Sequence, residues 1–193
     1  MADLEEKFNF IPEIDYNKTV AKQQIVFKKT ARDKFRRIFI FICALIFVII
    51  ITMATYYSLL ADSYTVLIIE PLLITWLILS YVYTNKTIKV EGISPVINKE
   101  DAIKSLKYFY SDLTFDVSQD NILRDFRFSS FLKAGRIITV LFHGNDVYFH
   151  KTILGKGNSI YTISGPIDYL KTKEIAEYFL WLKIKRQKEP LEH

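Results

Sequence analysis

The feature that most limits what this chain can become is an apolar stretch over residues 38–84, interrupted only at Ala61, Asp62 and Ser63. Residues 38–60 carry no charged side chain, and residues 64–84 carry one, Glu70. Each run is roughly 20 residues, which at ~1.5 Å per residue equals the ~30 Å hydrocarbon core of a bilayer. The pattern predicts a transmembrane hairpin of two helices, with the remaining chain on one side of a membrane. The loop between the runs has no Lys or Arg, whereas Lys34, Arg36 and Arg37 precede the first and Lys86 and Lys89 follow the second. The positive-inside rule then places both termini in the cytoplasm. The expected location is a bacterial inner membrane, crossed more than once.

The 193 residues leave room for that hairpin and one domain of about 100 residues. A net charge of +5 favours an anionic surface or ligand without choosing among lipid, nucleotide and nucleic acid. The single cysteine, Cys43, excludes an internal disulfide framework and a cysteine-based zinc site. The polar first 34 residues do not resemble a signal peptide, and residues 191–193 look like a tag remnant. The expected segments are an arm at 1–15, a basic amphipathic helix at 16–37, the hairpin at 38–84 and a cytoplasmic domain at 85–190. The basic helix rests on Tyr16, Val20, Phe27, Ala31 and Ile38 at helical spacing, with lysines and arginines between them.

Within the apolar stretch, Thr52, Thr55 and Ser58 recur every third residue and could bond to a neighbouring helix. Glu70 precedes Pro71. Either it lies near the outer interface, with a helix beginning at Pro71, or copies of the chain present a ring of carboxylates to an aqueous passage. On the second reading Glu70, Thr52, Thr55 and Ser58 line a pore.

The domain reads as α+β, with an antiparallel sheet and two helices. Residues 87–96 begin with period-two alternation broken at Gly92 or Pro95, and Asn98 is a candidate N-cap for a helix over 99–110. Strands are expected over 113–117, 122–128, 136–143, 147–153 and 159–164. Gly144 and Asn145 make a tight turn between the third and fourth, and a second helix follows Gly165-Pro166 over 167–188.

No catalytic constellation, metal or cofactor is expected. The Gly155-Lys156-Gly157-Asn158-Ser159 segment lacks the spacing and following helix of a phosphate-binding loop and reads as a turn. His143 and His150 flank a hairpin with no carboxylate or cysteine at ligand spacing, and Asp112, Asp116, Asp120 and Asp125 match no calcium loop. The chemistry that remains is charge among aromatics. Arg124, Arg127, Arg136, Lys151 and Lys156 lie along the strands with Phe126, Phe128, Phe142, Tyr148 and Tyr161, a composition that suits a nucleotide or short nucleic acid, or an anionic lipid surface.

By layout alone, two spans and a small cytoplasmic domain are similar to the membrane effectors of bacterial antiphage systems. That resemblance implies a homo-oligomeric, non-enzymatic, ion-conducting pore gated at its cytoplasmic domain by an anionic ligand or protein partner. The alternative is a membrane-anchored adaptor, assembly or immunity protein.

Overall fold

The structure is a computed structural model, and it describes residues 13–28, 42, 49–50, 52–53, 55–57, 65–115, 117–118, 120–127, 134–155, 160 and 162–188. The chain divides into two compact units, Met1–Asp15 with Phe27–Ile78, and Tyr16–Val26 with Leu79–His193.

The second unit is built on an antiparallel sheet. Its strands are β1 (Ile88–Glu91), β2 (Val117–Ser118), β3 (Ile122–Arg127), β4 (Gly135–His143) and β5 (Asp146–Leu154), in the spatial order β1-β5-β4-β3-β2. The turn at Gly144-Asn145 fixes the register of β4 against β5, pairing His143 with Asp146 and Val140 with Phe149. Gly144 adopts φ +57°, a conformation natural to glycine in a two-residue turn.

Helices α3 (Pro95–Phe109) and α4 (Gly165–Lys188) cover one face of the sheet. The core between them joins Ala102, Leu106, Ile175, Ala176 and Phe179 to Val90, Leu123, Ile138, Val140, Phe142, Val147 and Phe149. Phe149 meets Phe179 edge-on at 5.4 Å between ring centroids. From the last turn of α4, Arg186 donates to the buried Asp101 carboxylate in the middle of α3, from Nε at 3.0 Å and Nη2 at 2.8 Å.

The opposite face is buried as well, through Ile137, Thr139, Leu141, Tyr148, His150, Thr152 and Leu154. Helix α1 (Tyr16–Lys22) sends the Tyr16 hydroxyl to the Phe142 carbonyl. It ends at Gln23, whose φ of 50° is left-handed, and the buried Thr19 hydroxyl takes the Val26 N–H at 2.9 Å. The expected basic helix over 16–37 therefore stops at Lys22, and residues 29–37 lie outside the described residues.

Helix α2 (Thr65–Thr84) forms on the second apolar run. Among the described residues, no helix is long and apolar enough to cross a membrane. This corrects the expected membrane hairpin, and with it the multi-pass inner-membrane location and the transmembrane and ion-channel description. The last turn of α2 is spent on the domain, since Ser80 and Thr84 are 2% and 4% exposed. Pro71 lies within the helix, with Glu70 just before it. Between Pro71 and Ser80 stand eight residues, seven of them apolar, roughly 12 Å of helix against the ~30 Å a bilayer needs. In the first run, the described residues 42, 49–50, 52–53 and 55–57 are helical.

Three further expectations change. Helix α3 starts at Pro95 with Ser94 as N-cap, because proline suits the first helical position. Asn98 instead clamps two loops, accepting the Ile93 N–H at 2.7 Å and donating to the Asn145 carbonyl at 3.1 Å. Among the described residues of the expected strand over 159–164, Ile160 forms an isolated bridge to Leu154 and Thr162–Ser164 a 3-10 turn; residues 159 and 161 lie outside the described residues.

Candidate functional site

Two places in the second unit gather chemistry that the fold alone does not require. The first is the polar end of the helix-facing side of the sheet. Strand alternation and register put Arg127, Arg136 and Lys151 on this face, with Arg127 directly opposite Arg136 and Lys151 paired with Ile138. Arg124 points to the other face, where it is 5% exposed and burial pulls its guanidinium down to about 10. Lys156 and Ser58 lie outside the described residues.

Each of the three cations on the shared face has a carboxylate. Arg136 Nη2 reaches Asp112 at 2.5 Å and Asp125 at 3.4 Å, and Arg127 pairs with the other oxygen of Asp112. Asp125 is buried and also accepts the Thr114 N–H at 2.8 Å. The Arg136 guanidinium lies over the Tyr110 ring, 4.5 Å from its centroid. The Tyr110 hydroxyl is buried without a hydrogen-bond partner among the described residues, and burial pushes it up to about 12. Lys151, 10% exposed, pairs with Asp168 of α4, itself 2% exposed. Asp168 also accepts the Ile153 N–H at 3.0 Å and the Ser164 hydroxyl at 2.7 Å, so it staples α4 to β5.

The second place is the root of α2. Gly165, at the start of α4, packs against the backbone of Ser80 and Thr84. The Ser80 hydroxyl donates to the Ile163 carbonyl at 3.2 Å, and the Tyr83 and Tyr169 rings meet at a tilt, 4.7 Å between centroids, with Lys86 over both. His150 Nε2 stands 3.0 Å from the Thr84 carbonyl; a carbonyl only accepts, so this nitrogen carries the proton. Backbone bonds from Ile25 to Asn85 at 2.7 Å and from Thr87 to Gln23 at 3.1 Å complete the seat. Around it Leu79, Tyr81, Val82, Ile163, Ile167 and Leu170 are exposed. No group of three or more His, Cys, Asp or Glu residues able to hold a metal occurs among the described residues.

The pore-lining candidates are placed as follows. Glu70 falls within α2, one residue before Pro71. Thr52 is exposed and Thr55 partly exposed, both at helical positions. Sequence reasoning missed the seat entirely. Its signal was faint, two small polar residues four apart (Ser80 and Thr84) at the end of an otherwise apolar run.

His150 makes the seat sensitive to acid. Burial pulls its imidazole from 6.5 to about 4, with the bond to Thr84 and the field of Asp168 opposing and Arg124 and Lys151 adding a little. As pH falls through 6.5 the unfolded chain takes up a proton that the folded chain refuses until about 4. Stability is therefore fully present above 6.5 and declines by about 3 kcal/mol towards pH 4. In a His150→Gln variant this part of the decline vanishes, which urea unfolding across that pH window measures; an unchanged slope would contradict the assignment.

Comparison with protein-family models, curated proteins and solved structures finds no match to this chain.

Proposed function

We propose that this protein is a non-enzymatic assembly module, in which copies of the chain associate through α2 and the apolar collar around its root. The supporting observation is the contrast along α2. Its last turn is seated by Ser80, Thr84 and His150, while Ile69, Leu72, Leu73, Ile74, Trp76, Leu77, Ile78 and Leu79 are all exposed. Consecutive exposed positions such as 72, 73 and 74 point about 100° apart, so the helix is apolar on every side. Solvent does not favour such a surface, and contiguous exposed apolar area marks an interaction site.

The occupant is a second copy. With about half of each side chain bare, the ten exposed large apolar residues of α2 present on the order of the ~800 Å² that one partner contributes to a standard interface. Residues 71–84 carry no charge, so identical helices meet without like-charge repulsion. A helix apolar all round is covered best by several neighbours, which identical copies supply symmetrically. The adaptor or assembly reading needs no more than this: a self-associating helix whose last turn is seated in the second unit, the head.

Light scattering on the full chain, from micromolar concentrations upward, is expected to give a dimer or larger closed assembly. Leu72→Lys and Ile78→Lys, both at exposed positions, should weaken association by more than roughly tenfold while leaving thermal unfolding of the head in place. A wild-type chain that stays monomeric throughout this range would overturn the proposal.

A further inference from the structure

We propose that Arg127 and Arg136 form a binding site for a phosphate group, and that Asp112 is a built-in carboxylate that occupies the site until phosphate displaces it. This proposal is independent of self-association. It starts from an arrangement that folding does not need. Arg127 and Arg136 are direct cross-strand partners, and like charges in that position are unfavourable unless an anion neutralises both. One anion does. Asp112 gives one carboxylate oxygen to Arg136 at 2.5 Å and the other to Arg127. Two guanidinium groups converging on one oxyanion is the geometry by which arginine recognises carboxylate and phosphate.

The two arginines are held differently. Arg136 is 14% exposed at its side chain and keeps its place without Asp112, because Asp125 and the Tyr110 ring hold it from the inside. Arg127 is 51% exposed and Asp112 34%, and Asp112 lies in the turn after α3. The outer half of the site can thus open while the inner half stays organised. The Tyr110 hydroxyl, buried beside Arg136 without a partner among the described residues, is a further polar atom that the closed arrangement leaves unsatisfied.

The displacing group has to outdo a tethered carboxylate, whose effective concentration is on the order of millimolar. A second carboxylate brings no more charge than Asp112. A phosphate carries roughly 1.5–2 negative charges at neutral pH and three strong acceptor oxygens, so it can serve both guanidinium groups and still accept another bond.

The test is calorimetric titration of inorganic phosphate into the full chain at neutral pH and constant ionic strength, with chloride as the control. Asp112→Asn is expected to bind phosphate about tenfold or more tightly than wild type. Adding Arg127→Gln to Asp112→Asn should abolish that gain. The proposal fails if Asp112→Asn binds no more tightly than wild type, or if the double variant binds as Asp112→Asn does. A second measurement leaves Asp112 intact: in the wild-type chain, the Nε resonances of Arg127 and Arg136 should both shift saturably with phosphate and not with chloride. Absence of a saturable shift at either arginine would equally overturn it.

Discussion

Replacing Asp168 with alanine should cost the folded chain about 3–5 kcal/mol, the loss expected when one member of a buried ion pair is removed. Asp168 is 2% exposed and Lys151 10%, so the ammonium left behind would have little access to water. The same change strips an acceptor from the Ile153 N–H and the Ser164 hydroxyl. Asp168→Asn, which keeps acceptor capacity but not charge, should fall between wild type and alanine. Chemical denaturation of the three proteins decides it, and a cost below about 1 kcal/mol for the alanine variant would show that Lys151 finds other partners.

Gly165→Ala is expected to have the next largest effect. A methyl at this position would stand 2.8 Å from Thr84 Oγ1, 2.9 Å from the Thr84 backbone nitrogen and closer still to the Ser80 carbonyl oxygen. Two of these three atoms are backbone and cannot rotate away. The start of α4 and the end of α2 would have to separate, at the ~1–3 kcal/mol typical of overpacking. Because His150 and Tyr169 grip the same turn, the damage should be local first. Amide exchange at Asn85 and Thr87 should quicken more than exchange in β4. Equal change at both places would mean a global loss of stability in place of an unseated helix.

What could be read from the sequence was local. The expected strands over 136–143 and 147–153 became Gly135–His143 and Asp146–Leu154, because the Gly144-Asn145 turn and uninterrupted β-branched and aromatic residues all favour one hairpin. The expected helix over 167–188 begins two residues earlier as α4, since Gly165-Pro166 opens the helix instead of preceding it. The apolar stretch misled because hydropathy counts residues and not partners. Ser80 and Thr84 read as incidental in a membrane span, yet they meet residues 163 and 165, some eighty positions away. For the same reason the positively charged side chains could be counted in the sequence, but their partners could not be read from it. Nothing in sequence spacing links Asp112 to Arg127 and Arg136, or Lys151 to Asp168.

The distance along the chain between α2 and its seat has a consequence for synthesis. The helix is complete at Thr84, but His150, Ile163 and Gly165 follow much later, and β1 pairs with β5, the last strand to be made. At ~5–20 residues per second, a ribosome needs roughly 4–16 s to add the ~80 residues between them. For part of that interval the uncharged apolar residues 71–84 are exposed before the parts of their seat on β5 and α4 exist. On the proposed self-association, neighbouring nascent chains on one message can meet through their helices before the sheet of the second unit has closed, so the quaternary contact can precede the tertiary one.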